Sequence, residues 1–228
     1  FNEPENFTEW WDGFPEVYFD SIDDWVQAAT REPTRATEAG LVIDPDWSLA
    51  DGPMLFDPVP GSPREFKSHH LHMHETVLKA VERPEFKITK IIQFFKKNPK
   101  ISKEKFKALL SQDYLPKLSS LSSLRGLILN IRNKDIDQAI RGFYPANGWH
   151  FSESGKEERT AFCSLWDGAT ELYFGSIEEF RSGRLDSAIN SELLAIENVL
   201  FSSLWYVEVD ENLIILPNRK PAPSFYFR

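Results

Sequence analysis

WDGATELYFGSIEEF, residues 166–180, repeats a segment near the start of the chain, WDGFPEVYFDSIDDW, residues 11–25. The two segments align without a gap at a constant offset of 155 residues. Such a match is too long and too well ordered to arise by chance, so the sequence predicts an internal duplication. The identical pairs are Trp11/Trp166, Asp12/Asp167, Gly13/Gly168, Glu16/Glu171, Tyr18/Tyr173, Phe19/Phe174, Ser21/Ser176 and Ile22/Ile177.

The repeated segment contains the signals of a turn, a strand and a helix. Asp-Gly favours a tight turn, because glycine has no Cβ to clash. The residues that follow are rich in β-forming types, which predicts a short strand. Ser21 and Ser176 each stand three residues before an acidic residue, Asp24 or Glu179. This capping-box spacing predicts that a helix begins at each serine.

The residues around the second repeat predict the rest of a unit. Strands are predicted at 86–95 and 124–133, and Ser102 caps a predicted helix between them. A variable loop then leads to the repeated strand and helix, followed by a strand at 204–210 and a short end strand at 210–214. Two β-α-β runs in this order are typical of the ferredoxin-like split βαβ plan.

The first copy of the unit is predicted only in its second half. Strands at 54–60 and 74–78 flank a polar loop at 61–70. Counting back by the same offset places the opening strand of this copy before residue 1, so we expect an N-terminal part beyond the given chain. Residues 1–84 are therefore predicted to be the C-terminal half of the first unit, and residues 85–228 the complete second unit.

Composition excludes several classes of function. The formal charge is −9 and the pI is about 5.1, whereas nucleic-acid binding needs a basic face. No apolar run reaches the length of a membrane span, so we expect neither a membrane nor a nucleic-acid partner. The single cysteine, Cys163, rules out an internal disulfide. Together these features predict a cytoplasmic protein.

Three motifs resemble the EthD-domain family of the dimeric α/β-barrel superfamily. They are KIIQFFKKNPKISKEKFKALL at 90–110, the WDG-x-x-E-x-YF-x-SI segment in both copies, and the H/D-E-x-(V/L)-(L/I) end strands. The resemblance implies an α+β fold in which two tandem ferredoxin-like units place their antiparallel sheets face to face. A barrel lined by side chains then forms between them. A homodimer is also conceivable, since exposed sheet edges in this superfamily often pair further.

The resemblance also implies where an acid or base belongs. Family members often carry a histidine near the end of the first helix, in an H-x-P-like context, and here that position is occupied by Tyr114, before Pro116. Tyr114 stands at helical spacing from Leu110 and Phe106, so it can simply pack in a core. If its hydroxyl reaches the barrel, it can donate a hydrogen bond to a substrate oxygen.

Four of the five histidines lie within residues 69–74. In a strand, His70, His72 and His74 share one face. A proton relay or a metal site is one interpretation, because histidine titrates near neutral pH and binds divalent metals. The other is a solvated loop that enters the last strand. No carboxylate or cysteine at metal spacing supports a metal, so we predict none and take His72 as a catalytic candidate, with His70 and His74 as substrate-binding candidates.

The remaining candidates follow the second strand of the complete unit. His150 lies in a turn-rich segment beside Tyr144 and Trp149, where it can act as acid or base on an aromatic ligand. An ordinary loop histidine is the alternative. Arg132 can hold a carboxylate, although most such arginines are solvated.

The resemblance favours a cofactor-independent enzyme that acts on a small aromatic or polyketide-like molecule in the barrel. Its chemistry would be acid–base: decarboxylation, dehydration, cyclisation or isomerisation, with His150, Tyr114 and His72 as catalytic candidates. One alternative is a non-catalytic module that binds a hydrophobic small molecule. Another is an oxygenase, either cofactor-free or haem-dependent, and fold-level analogy does not decide among the three.

Overall fold

The computed structural model describes residues 3–4, 7, 16, 18–24, 72–84, 86–133, 151–185 and 188–213. The chain forms two compact units. The first contains Phe1–Gly13, Met73–Arg132 and Leu165–Arg228, and the second contains Phe14–His72 and Asn133–Ser164. The predicted loop at 61–70 and strand at 54–60 lie outside the described residues.

The first unit is built on an antiparallel sheet of five strands. The order across the sheet is β1-β3-β4-β2-β5. Apolar and β-branched residues dominate the central strands, which are buried on both faces. The strands are β1 Met73–Lys79, β2 Thr89–Lys97, β3 Gly126–Arg132, β4 Gly168–Phe174 and β5 Phe201–Val209.

The four strands after β1 have the ferredoxin-like arrangement. Their order across the sheet is β3-β4-β2-β5, and every neighbouring pair is antiparallel. Helices connect β2 to β3 and β4 to β5, as the split βαβ plan requires. The predicted α+β, ferredoxin-like fold is therefore confirmed for the described strands and helices.

Strand β1 extends this sheet at the β3 edge. The sequence predicted a strand at 74–78, and the structure places one at Met73–Lys79, with Thr76 opposite Leu129. The predicted boundary between 1–84 and 85–228 stays a prediction, because most of residues 1–84 lie outside the described part of the chain.

The helices of the first unit contain two π-helical turns. Helix α1, Lys103–Leu109, continues through a π turn, Leu110–Tyr114, into α2, Leu115–Ser119. Helix α4, Ile177–Phe180, continues through a second π turn, Arg181–Leu185, and α5 follows at Ile189–Leu200.

Serine caps begin the predicted helices. The Ser102 hydroxyl accepts a hydrogen bond from the Lys105 amide at 3.1 Å, and Ser176 accepts one from the Glu179 amide at 3.3 Å. In the second unit, Ser21 accepts one from the Asp24 amide at 3.1 Å. These bonds satisfy amides that have no partner inside the helix, so the three predicted caps are confirmed.

The hydrophobic core lies between the sheet and the helices. Side chains alternate along each strand, so Ile91, Phe95 and Leu172 face the same way as Leu127 and Leu129. They pack against buried residues of the helices and of the adjoining strand β5: Phe106, Leu110, Leu115, Leu118, Leu193, Leu200, Phe201 and Leu204.

The opposite face of the sheet is aromatic at one end. Phe94 stacks on Trp205, with ring centroids 5.5 Å apart, and meets Trp166 edge-on at 5.0 Å. Phe7 packs edge-on against both Phe94 and Trp205. Trp166 is 2% exposed and is therefore part of this buried aromatic group.

Two local predictions are wrong. Helix α3, Glu153–Ser164 of the second unit, occupies part of the segment predicted to be a variable loop. This run contains no glycine after Gly155 and no proline, so nothing in it opposes a helix. The short end strand predicted at 210–214 is not formed in its described part, 210–213, where Glu211 instead binds the side chain of Arg83.

Candidate functional site

A hydrogen-bonded group of polar side chains lies in the core between the sheet and the helices. We call it the helix-side network, and its members are Gln93, Tyr114, Thr170, Arg184, Glu197 and Tyr206. Buried polar groups of this kind are costly unless they are paired, so their presence in an otherwise apolar core calls for a reason.

The sheet supplies three members through strand register. Gln93 lies opposite Thr170 of β4 and Tyr206 of β5. Gln93 interrupts the apolar run of β2 and is 0% exposed. Residues opposite one another on neighbouring strands share a face, so all three side chains point toward the helices.

The helices supply the other three. Tyr114 ends the first π turn, and Arg184 lies in the second. Glu197 belongs to the buried stripe of α5, together with Leu193 and Leu200. Gly183 allows the second π turn to lie close to the preceding loop, since a Cβ there would be 2.8 Å from the Ser122 carbonyl oxygen.

Tyr114 and Glu197 form the centre of the network. The Tyr114 hydroxyl donates to Glu197 Oε1 at 2.6 Å and accepts from Gln93 Nε2 at 2.7 Å. Arg184 Nη2 donates to the same Glu197 oxygen at 2.6 Å. Gln93 Nε2 also donates to the Tyr206 hydroxyl oxygen at 2.9 Å.

Two outer contacts fix the orientation of the network. Thr170 Oγ1 donates to Gln93 Oε1 at 2.5 Å, which sets the amide so that its nitrogen faces the two tyrosines. Arg184 Nη1 donates to Asn190 Oδ1 at 2.5 Å, and Asn190 Nδ2 donates to the Leu185 carbonyl at 2.9 Å. The guanidinium is thereby held at both ends.

Burial keeps both phenols protonated. It raises the pKa of the Tyr114 hydroxyl well above its ordinary value, and Tyr206 and Glu197 act in the same direction. Burial also raises the pKa of Tyr206, with a further contribution from the Glu197 charge. Burial acts to lower the pKa of Arg184, but Tyr206 and Glu197 outweigh it and the net shift is upward. Near neutral pH the site therefore offers two neutral hydroxyls beside a guanidinium cation.

Two atoms of the network have no hydrogen-bond partner among the described residues. They are Glu197 Oε2 and Arg184 Nε, although both side chains are almost fully buried. Buried polar atoms are satisfied in the great majority of native structures. Each exception therefore calls for an explanation, such as a catalytic role or a bound water or ion.

A second polar group lies on the opposite face of the same sheet. We call it the sheet-face cluster, and Glu171 is its centre. Glu171 accepts hydrogen bonds from Lys90 Nζ at 2.9 Å, Asn130 Nδ2 at 2.7 Å and the Tyr173 hydroxyl at 2.6 Å. Arg83 and Glu211 form an ion pair beside Tyr173. Glu171 thus binds side chains of three strands.

The first copy contains the same local contact. Tyr18 donates to Glu16 Oε2 at 2.9 Å, just as Tyr173 donates to Glu171 Oε2 at 2.6 Å. Tyr18 is 62% exposed, whereas Tyr173 is 2% exposed.

The structure does not bring the described candidates from the sequence together. Tyr114 is 0% exposed on the helix side, and its hydroxyl donates to Glu197. Arg132 lies on the opposite face, where its Nε donates to the Trp166 carbonyl at 3.2 Å. His74 is exposed on the edge strand β1, and the ring of His72 lies 3.2 Å from Asn133 Nδ2 in the second unit. His70, Tyr144, Trp149 and His150 lie outside the described residues.

Sequence reasoning missed Gln93, Arg184, Glu197 and Tyr206. Two of them have a readable signal: a glutamine inside an apolar strand, and a glutamate at the spacing of Leu193 and Leu200 in an apolar helix stripe. Arg184 and Tyr206 have no comparable signal, because they join the network only through tertiary packing.

The described residues show neither a cluster of metal ligands nor a helix suited to cross a membrane. They contain no cluster of three or more histidine, cysteine, aspartate or glutamate side chains that could hold a metal ion. None of their helices has the length and apolar character needed to cross a bilayer.

Comparison with known proteins leaves the function open. No family model matches the chain, so the EthD resemblance stays a prediction. No curated protein matches it either. Among solved structures, the chain is similar to a dimeric ferredoxin-like protein of unknown function from Thermobifida fusca. The identity is 14% and the TM-score 0.35, over 60% of this chain and 97% of that one.

Proposed function

We propose that the protein is a cofactor-independent enzyme that transfers protons on a small, largely apolar molecule, and that the helix-side network is its catalytic centre. The reaction class is decarboxylation, dehydration, cyclisation or isomerisation of an aromatic or polyketide-like substrate. The observation that carries the proposal is the convergence of both π turns of the described helices on one buried carboxylate.

The π turns matter because they are rare and concentrate at functional sites. A π turn widens the helix and costs regular hydrogen bonding, so a purely structural core gains nothing from two of them. Here one π turn presents Tyr114 and the other presents Arg184, and both side chains bind Glu197 Oε1. The distortion therefore serves the placement of these side chains.

Each residue has a definite role in the proposed reaction. The Glu197 carboxylate takes a proton from the substrate carbon through Oε2, the oxygen without a partner among the described residues. The negative charge that develops on the substrate oxygen is stabilised by the Tyr206 hydroxyl and the Arg184 guanidinium. Tyr114 and Gln93 hold the carboxylate and Tyr206 in position. Return of the proton to another carbon completes an isomerisation, and its transfer to a leaving hydroxyl group, which departs as water, completes a dehydration. In a decarboxylation Glu197 instead takes the proton of the substrate carboxyl group, CO2 leaves, and Glu197 returns the proton to the carbon that carried the carboxyl group.

The test is turnover of enolisable substrates by the purified chain. We expect exchange of α-protons of aryl ketones, or decarboxylation of aryl β-keto acids, measured by NMR in D2O without added cofactor. Glu197→Gln should lower the rate by about 10²- to 10⁴-fold, which is the usual contribution of a general base. Tyr18→Phe is the matched control, since Tyr18 is exposed, and it should leave the rate unchanged. Equal rates for Glu197→Gln and the wild type would overturn the proposal.

A non-catalytic binding module is the second candidate. Glu197 is already balanced by Arg184, and this charge compensation suits a resting binding site. Native mass spectrometry separates the two candidates. A binder carries the same small molecule before and after incubation and shows no turnover, whereas an enzyme releases a product of changed mass.

The predicted barrel of two tandem units belongs to the same proposal. Its support is the duplicated tyrosine–glutamate hydrogen bond, Tyr18 to Glu16 and Tyr173 to Glu171.

A further inference from the structure

Several donors and acceptors of the helix-side network are left over, and three of them bear on a ligand. Both hydrogens of Gln93 Nε2 are used by the two tyrosines, and Glu197 Oε1 accepts from Tyr114 and Arg184. Glu197 Oε2 and Arg184 Nε have no partner in the described part of the chain.

The hydroxyl hydrogen of Tyr206 is the third position. Tyr206 accepts from Gln93, and the described residues offer its own hydrogen no acceptor. The raised pKa of Tyr206 keeps that hydrogen in place at neutral pH. The network therefore has donors at Tyr206 and Arg184, and an acceptor at Glu197, that lack a partner among the described residues.

We infer that the helix-side network is a binding site for the hydroxyl group of a small neutral molecule, a phenol, enol or alcohol. This inference rests on the proposed function and names the substrate class of the same site. A hydroxyl oxygen accepts from Tyr206 or Arg184, and its hydrogen donates to Glu197 Oε2. One hydroxyl group can thus accept from Tyr206 or Arg184 and donate to Glu197 at the same time.

Charge argues against a carboxylate or an ammonium group as the ligand of this site. A carboxylate would satisfy the two donors but would lie against the Glu197 carboxylate, and like charges in a buried site repel strongly. An ammonium group would satisfy Glu197 but would face two donors and the Arg184 cation. Glu197 and Arg184 already neutralise one another, so a neutral guest adds no unpaired buried charge.

The inference is tested with three probes of similar size: phenol, benzoate and benzylamine. Binding to the full chain is followed by ligand-observed NMR and calorimetry at neutral pH. We expect phenol to bind at least tenfold more tightly than benzoate or benzylamine. Tyr206→Phe should weaken phenol binding at least tenfold, and Tyr18→Phe should not change it. Thermal unfolding of each variant confirms that it is folded.

Three outcomes would overturn the inference. The first is that benzoate or benzylamine binds as tightly as phenol. The second is that phenol binds Tyr206→Phe as tightly as it binds the wild type. The third is that no probe binds and a crystal structure shows only an ordered water between Tyr206 and Glu197. A failure of the proposed function can be told apart from a failure of this inference by measuring turnover. If Glu197→Gln loses turnover but phenol binds no better than benzoate or benzylamine, the catalytic role of Glu197 stands and the hydroxyl-binding site is wrong. If phenol is preferred but no turnover is found, the hydroxyl-binding site stands and the catalytic role is wrong.

Discussion

Glycine 168 shows how a single residue of the repeated motif is constrained. It was expected to serve a tight turn, but it begins β4, where its missing side chain makes room for a neighbour. A Cβ at this position would lie 2.6 Å from the Phe95 ring and 2.7 Å from the Asn130 carbonyl oxygen. Neither obstacle can move freely, because one is a packed core ring and the other is backbone.

We therefore predict that Gly168→Ala destabilises the protein by about 1–3 kcal/mol, the usual cost of overpacking a core. Urea unfolding measures the loss. Gly175→Ala is the matched control, because a Cβ there would meet the end of the flexible Glu179 side chain. The loss in Gly175→Ala should be smaller. A larger loss of stability in Gly175→Ala would show that the close contact with Phe95 does not explain why residue 168 is a glycine.

The candidate site was only partly predictable at the scale of residues. Tyr114 was singled out because it stands where the EthD family often has a histidine, and its hydroxyl does lie at the centre of the network. Its partner Glu197 is 83 residues away, and nothing local to Tyr114 points to it. Sequence pattern identifies a side chain of unusual type, whereas the partner depends on how α5 packs on the sheet.

The elements themselves were more predictable, because their signals are local. Ser102 stands before a run of helical spacing, and the structure begins α1 there. The apolar, β-branched residues of β2 and β3 likewise gave strands where they were expected. The π turns were not predicted, since their sequences, LSQDY and RSGRL, carry no pattern that separates a π turn from an α-helix.

At this scale we predict that Ser102→Ala destabilises the protein by about 0.5–2 kcal/mol through loss of the helix cap. The lost contact is the hydrogen bond from the Lys105 amide to the Ser102 hydroxyl. Ser111→Ala controls for the change of residue type, because Ser111 is exposed and its hydroxyl only donates back to carbonyls of the same helix. Thermal unfolding should show a loss in the first variant and none in the second. Equal losses would contradict the capping role.

The sheet-face cluster joins three strands, so its prediction concerns the sheet as an element. Removing one partner of the Lys90–Glu171 pair leaves a buried group without its counter-charge, and we expect Lys90→Met to cost about 3–5 kcal/mol. Glu171→Gln should also be destabilising, because Glu171 accepts from three side chains.

The double variant shows whether Lys90 and Glu171 stabilise the protein as a pair or independently of one another. If the two side chains act together, Lys90→Met with Glu171→Gln loses clearly less stability than the sum of the single losses. Chemical unfolding of the four proteins at one pH gives this coupling. Additive losses would show that the pair contributes no interaction of its own.

At the scale of the whole molecule, the ferredoxin-like order of the sheet follows from the order of elements along the chain. Two β-α-β runs with short connections leave few topologies open, because connections between neighbouring elements are short and unknotted. The strand β1 was predicted as a strand, but its place beside β3 was not, since pairing between distant strands leaves no local trace. Duplication and barrel stay predictions for the same reason: each concerns segments brought together only by the complete fold.

The two buried tyrosines of the helix-side network make the folding stability depend on alkaline pH. In the unfolded chain their hydroxyls ionise near the ordinary tyrosine pKa of 10.0, whereas in the folded protein burial raises the pKa of both Tyr114 and Tyr206. Below pH 10 both states keep these protons, and the stability is fully present. Above pH 10 only the unfolded state releases them, so the free energy of unfolding falls as the pH rises.

We expect this decline in urea unfolding between pH 9 and 11, and we expect Tyr114→Phe to make it shallower by removing one of the two groups. Tyr18→Phe should keep the full slope, because Tyr18 is exposed. The comparison of slopes does not depend on the absolute stability of Tyr114→Phe, which also loses its hydrogen bonds to Glu197 and Gln93. Parallel slopes for the wild type and Tyr114→Phe would mean that the Tyr114 hydroxyl is not held protonated by the network, and the positioning role proposed for it would lose its physical basis.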